Sequence, residues 1–185
     1  MINKLEETEC FVVMGVEMER SYEQITESDL KVLVELARKD RKGLFSRRPE
    51  TGQLYGGRLF AVALCQGAAL HYLDGTNGVK DFDVWSFYKA SPERPFPYRR
   101  RGESDFGIAK FGKTSDYQHF IGRRVDLIGR SLHVADENDP VGVLRKYLRD
   151  GKAESARQLA KKAVILLEPA HLFGTVVWPE SSPNP

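Results

Sequence analysis

Cys65-Gln-Gly-Ala-Ala-Leu-His-Tyr-Leu-Asp-Gly-Thr-Asn-Gly-Val-Lys-Asp81-Phe-Asp83-Val-Trp85 is the stretch on which the reading of this chain turns. It reads as the end of one strand, a small-residue turn at Gly67-Ala68, a short helix, a glycine loop and a second strand. Side chains alternate along a strand, so Asp81 and Asp83 share a face about 6.5–7 Å apart. Two carboxylates so placed repel unless something positive sits between them. A divalent cation of the Mg²⁺ kind answers that need, because it takes hard oxygen ligands and leaves places for phosphate oxygens. Phe82, Val84 and Phe87 have the composition of a buried strand, and charges at its start need a partner or a solvated cleft. A plainer reading, a polar strand start after the turn Asp74-Gly-Thr-Asn-Gly78, fits the D-x-D pattern alone better.

Spacing adds more. Gly67-Ala68, then a dozen residues, then Asp81-Phe82-Asp83-Val84, then Arg123-Arg-Val-Asp126-Leu-Ile128 come in one order. Asp126 lies in an apolar strand segment after two arginines, an unusual place for a structural carboxylate. Together these pieces resemble the signature of the polymerase-beta-like nucleotidyltransferase superfamily, of the minimal, abortive-infection type, over about residues 55–130. That family pairs Gly followed by Gly or Ser with a short helix, a D-x-D or D-x-E strand and a third carboxylate from a later strand.

The resemblance implies an α+β fold, a mixed sheet flanked by helices with additional C-terminal helices. It implies Asp81, Asp83 and Asp126 as catalytic and metal-holding residues for Mg²⁺ or Mn²⁺, Asp126 serving only the second of two ions. Gly67 and Ala68 would form the nucleotide turn. Lys80, Arg58 and the cluster Arg99, Arg100 and Arg101 are candidate phosphate or acceptor contacts, since an arginine fork matches phosphate geometry. One position departs from the pattern. Ala68 stands where members commonly carry Ser or Gly, so no hydroxyl is offered there, and the N–H groups at the helix start must serve alone.

Composition sets the outer bounds. The 185 residues are 41% hydrophobic and 29% charged with a formal net charge of +2, so bulk charge does not make this a polycation and any basic footprint is local. The length predicts one domain over residues 1–178 and a frayed Pro- and Ser-rich tail over 179–185. Cys10 and Cys65 form neither a metal spacing nor a disulfide framework. No apolar run is long enough for a membrane span, and the start of the chain lacks the sustained apolar core of a signal peptide, so a cytoplasmic setting is expected.

Along the chain, Thr26-Glu-Ser-Asp29 opens a helix carrying Leu30, Leu33, Val34 and Leu36, closed by basic residues and Gly43. Residues 44–57 read as a loop. Arg58-Leu-Phe-Ala-Val-Ala-Leu64 is the first core strand, and His71 in the next helix reads as a satisfied, half-buried imidazole. Three prolines between Ser91 and Tyr98 exclude regular structure, and residues 105–121 hold a further strand candidate with Lys110 and Lys113 as phosphate contacts. Asp139-Pro140 starts a helix with Val143, Leu144, Tyr147 and Leu148 on one stripe, and a second follows from Ser155 to Lys162. Ala163–Leu167 and Thr175–Trp178 read as late strands or helix ends.

The function implied is a metal-dependent transferase that moves a nucleoside monophosphate from an NTP to an acceptor. Small members of the superfamily modify antibiotics, tRNA ends or proteins, and many belong to toxin–antitoxin pairs. The acceptor, RNA, protein or small molecule, is left open, as are a homo-oligomer and an antitoxin partner. The alternative, which Ala68 allows, is a catalytically silent nucleotide- or RNA-binding module of the same fold. A third reading makes the aspartates loop-binding groups of a structural protein.

Overall fold

A computed structural model describes residues 20–96, 101–114 and 117–180. Its element order is α1 (Glu27–Arg47), α2 (Pro49–Tyr55), β1 (Leu59–Cys65), α3 (Gln66–Asp74), β2 (Phe82–Lys89), β3 (Arg101–Asp105), β4 (Arg124–Leu132), α4 (Pro140–Asp150), α5 (Glu154–Leu159), β5 (Ala163–Glu168) and β6 (Val176–Trp178). The strands form one mixed sheet in the order β3-β4-β2-β1-β5-β6. All neighbours run antiparallel except β2 and β4, which are parallel at its centre. The expected α+β class, a mixed sheet flanked by helices, is present.

Alternation sorts the strand residues onto two faces. Val62, Leu64, Phe82, Val84, Val125 and Leu127 point to one core with Leu30, Leu33 and Val34 of α1 and Ala68 and Ala69 of α3. Ala61, Ala63, Cys65 and Phe87 point to the other, covered by Leu144 and Leu148 of α4 and Leu159 of α5. Odd-numbered residues of β2 and even-numbered residues of β4 therefore belong to the α4–α5 face. Asp83 and Asp126 are among them. Both central strands are apolar toward α1 and α3, and each turns a carboxylate the opposite way.

The expected α1 start is observed. Thr26 and Asp29 form a capping box, each side chain meeting the other's backbone N–H. Two expectations fail downstream. Gly43 does not end α1, which continues to Arg47, and the loop predicted over 44–57 contains α2. A third buried cluster explains both. Leu44 and Tyr55 pack with Tyr88 and Phe96, and burying that patch outweighs the weak helix propensity of one glycine. Pro49 begins α2, where a missing N–H does no harm. At the chain's end, both apolar runs are strands, β5 and β6. In the described part of residues 105–121 the strand candidate gives way, after Asp105 at the end of β3, to a 3₁₀ turn at Ala109–Phe111. Residues 181–185 of the predicted tail lie outside the described residues. No helix among those described is long and apolar enough to cross a membrane.

Asp29 ties α1 to the segment before β4. Its carboxylate accepts from Lys110 Nζ at 2.6 Å and from the Thr26 backbone N–H at 2.7 Å. Burial pushes its pKa up, but the hydrogen bonds from Lys110 and Thr26 together outweigh burial, and the net shift is downward. A carboxylate held below its unfolded value stabilises the fold above that value and loses the contribution as pH falls through the folded one. Asp29→Asn is expected to lower the unfolding free energy by about 1–3 kcal/mol at neutral pH. It should also flatten the decline in stability below about pH 4, as read by urea titrations across that range.

Candidate active site

Three carboxylates lie in one row across three neighbouring strands. Asp83 of β2 is in register with Cys65 of β1 on one side and Asp126 of β4 on the other, and Asp126 is in turn opposite Glu103 of β3. Neighbouring strands are about 4.8 Å apart, and like charges directly opposite destabilise a sheet. Such a row stands only if cations are built into it.

Arg124 supplies the positive charge. It lies two residues before Asp126 on β4 and so shares its face. Its guanidinium donates to Asp81 Oδ2 at 2.9 Å, and its Nε lies 3.4 Å from Asp126 Oδ1. A third nitrogen donates to the Tyr117 hydroxyl at 3.3 Å, and the same guanidinium sits 5.5 Å from the centre of the Tyr117 ring. Tyr117 passes the contact on, its hydroxyl donating to Glu103 Oε1 at 2.8 Å. Burial works against the charge of Arg124, but Tyr117, Asp126 and Asp81 more than restore it and hold its pKa above the ordinary arginine value. Asp126 is fully buried, whereas Asp81 and Asp83 are half-buried and open onto solvent.

They open into a cleft of about 290 Å³, lined by Asp81, Asp83 and Trp85 from β2 and the loop before it. Gln66 and Gly67 form a second wall, Gln158 and Lys162 a third, and Lys80 and Arg20 stand at the rim. Gln66 has φ +63°, a left-handed conformation that a residue with a Cβ adopts at a cost of about 1–3 kcal/mol. Its amide donates to the Gln158 carbonyl at 2.9 Å, which holds the strained turn in place. Gly67 is used for its lack of a side chain. A Cβ there would stand 3.0 Å from Asn77 Nδ2 and 3.5 Å from Lys162 Nζ. Asn77 donates to the Gly67 carbonyl at 2.9 Å and so binds the glycine loop to the turn. The Trp85 indole nitrogen is buried on this wall with no hydrogen-bond partner.

The other predicted residues divide. Lys80 reaches the cleft, while Ala68 is buried in the α1–α3 core one residue behind it. Arg58 does not reach it. It precedes β1, at the far end of the strand from the Gly67 turn, and donates to the Ala90 carbonyl. Arg99 and Arg100 lie outside the described residues, and of Arg101 only the backbone is described, at the start of β3. Lys110 is engaged by Asp29, and Lys113 donates to the Gln118 carbonyl. His71 is satisfied as expected, though fully rather than half buried, its ring nitrogens meeting the Gly78 N–H and the Glu23 carbonyl. Cys65 is buried beside Asp83. Burial raises its thiol pKa and the Asp83 charge raises it further, so the thiol stays protonated.

Arg124, Glu103, Tyr117, Gln66, Gln158, Lys162 and Arg20 are the site residues that the motif did not reveal. For Arg124 a signal existed: it is two residues from Asp126, the same spacing that put Asp81 beside Asp83. Glu103 and Lys162 carry no such signal, because only the sheet order brings them near.

The donors suit a hard divalent ion in kind, as carboxylate oxygens beside a side-chain-free turn. Among the described residues, however, no three His, Cys, Asp or Glu side chains are gathered closely enough to hold an ion. Comparison of the chain with family models, curated proteins and solved structures gave no match.

Burial separates the acids energetically. Asp126→Ala leaves a half-buried guanidinium with one carboxylate fewer and is expected to cost about 3 kcal/mol of unfolding free energy. Lys80→Ala, at the exposed rim, should stay within about 0.5 kcal/mol. Chemical denaturation of the two variants measures both.

Proposed function

We propose that the cleft binds a nucleoside triphosphate and, with Mg²⁺ or Mn²⁺, transfers its nucleoside monophosphate to an acceptor hydroxyl. The observation that carries this reading is the register of Asp83 with Asp126 on adjacent parallel strands, directly beside the Gln66-Gly67 turn. Lys80, Lys162 and Arg20 give the cleft three cations against two half-buried carboxylates, a balance suited to a polyanionic phosphate chain. The Gly67 turn stands at the start of α3, where N–H groups lack helical partners, with Lys162 Nζ beside it.

A divalent ion held by Asp81 and Asp83, with Asp126 serving a second, would supply neutralisation of the transferring phosphoryl group and a lower pKa at the attacking hydroxyl. The chain's own residues do the rest. Attack of the acceptor oxygen on the α-phosphorus forms one P–O bond and breaks the bond to the β-phosphate, releasing pyrophosphate. In this reading the hydroxyl proton passes to Asp126, in register with the cleft-lining Asp83 on the next strand. Positioning of the phosphates by Lys80, Lys162 and the turn supplies most of the remaining rate. Trp85 offers a buried N–H donor to whatever group of the ligand lies against that wall.

A second reading has its own support. Ala68 is part of the apolar core, and Arg124 already pairs Asp81 with Asp126. Both features suit a module that binds a nucleotide or RNA without turnover.

One assay decides between them. The chain is incubated in a lysate with Mg²⁺ and each labelled NTP, and transferred label and released pyrophosphate are followed. Transfer with pyrophosphate release is expected. In Asp83→Asn the label should fall at least about a hundredfold while the melting temperature shifts by only a few degrees. Binding of nucleotide without pyrophosphate release moves the protein to the second reading. No binding and no label, together with an unfolded Asp83→Asn chain, removes both.

A further inference from the structure

Arg124 is more than a neighbour of the site. Its guanidinium touches two of the three aspartates at once, through Asp81 Oδ2 at 2.9 Å and Asp126 Oδ1 at 3.4 Å. Its side chain is 17% exposed, and Asp126 beneath it is not exposed at all. An arginine cannot surrender its charge by deprotonation at any physiological pH, and the surroundings of Arg124 strengthen that charge. A cation can therefore enter between these oxygens only by moving the guanidinium aside.

Resting on the reading above, that the cleft takes a divalent ion, we propose that Arg124 is an internal counter-ion which the metal displaces from Asp81 and Asp126 when it binds. The exchange puts two positive charges among the acids where the guanidinium supplied one. The row of Asp83, Asp126 and Glu103, with Asp81 beside it, is intolerable without a cation, so the guanidinium holds the acids in place until the ion replaces it. Tyr117 gives Arg124 a footing outside the exchange, through its hydroxyl and its ring face, so release from two carboxylates does not leave the guanidinium without a partner. Arg124 is thus a positioning residue. It keeps the aspartates ordered and raises the metal concentration needed to fill the site.

The test uses the full chain and Mn²⁺ alone, with binding read by the electron-spin signal of free Mn²⁺ and stability by thermal melting. Arg124→Gln should bind Mn²⁺ at least about tenfold more tightly than the unaltered chain. Without metal it should melt lower, and saturating Mn²⁺ should raise its melting temperature more than that of the unaltered chain. Arg124→Lys keeps a charge that reaches only one acid, so its affinity should fall between the two. It also serves as the readout if Arg124→Gln does not fold. A purely structural arginine would lower the melting point and leave Mn²⁺ affinity unchanged or weaker, and that result overturns the exchange while leaving the proposed function intact. Absence of Mn²⁺ binding in every chain at millimolar concentration overturns the exchange and the metal-dependent reading together.

Discussion

The fold of this chain tolerates a line of negative charge at the centre of its sheet, and the ion pairs of Arg124 are what make that tolerable. Asp83, Asp126 and Glu103 occupy matching positions on β2, β4 and β3, and Asp81 stands two residues before the first. Strand pairing alone would not choose this arrangement. Charges opposite one another in a sheet work against it, and a fully buried Asp126 without a counter-charge would be more costly still. Nothing about the surrounding core requires acids here. Phe82, Val84, Val125 and Leu127 alone would hold the two strands against α1 and α3. A charge cluster that the core does not need, opening on a cleft, is the ground of the proposed ligand site.

The remaining structure divides into parts that build this cluster and parts that decide what reaches it. β1, β2 and β5 form a compact antiparallel frame, and the Gln66-Gly67 turn is held against it by the Gln158 and Asn77 hydrogen bonds. Arg38 and Arg41 of α1 both pair with Glu168 at the end of β5, so the first helix is fastened to the sheet at the end away from the cleft. On the opposite face, Lys162 follows α5 and brings its charge to the turn. The cleft is therefore assembled from three regions of chain that fold onto one another through ordinary packing. Its polar groups are left facing inward by the alternation of the strands.

Much of this could be read in the residues themselves, and the limits of that reading are physical. The D-x-D spacing placed Asp81 and Asp83 on one face because strand geometry has a fixed period, and the apolar context of Asp126 marked it as a carboxylate in an unusual place. The capping box at Thr26 and Asp29 and the start of α4 at Asp139-Pro140 are local features, and both formed where the residues indicated. α2 was not legible, because it owes its stability to the contact of Tyr55 with Tyr88 and Phe96 across the sheet rather than to its own residues. Arg58 was misplaced for a related reason. Its position before β1 fixes it at the wrong end of a seven-residue strand, a matter of direction that charge and proximity in sequence do not convey. Glu103 and Lys162 joined the site through sheet order and helix placement, which no short motif encodes.

The parallel pairing of β2 with β4 carries a consequence for how such a protein can diversify. Parallel neighbours cannot be joined by a tight turn, so the chain must make an excursion and return to the same end of the sheet. Here the excursion is residues 90–123. It delivers Glu103 and Tyr117 to the rim of the cluster, yet contributes nothing to the register of Asp83 with Asp126. Outside β3 and the core residues Phe106 and Phe111, that segment can be lengthened, shortened or exchanged while the two aspartates stay aligned. The same acidic floor could so be offered to different visitors by rewriting one detour in the chain.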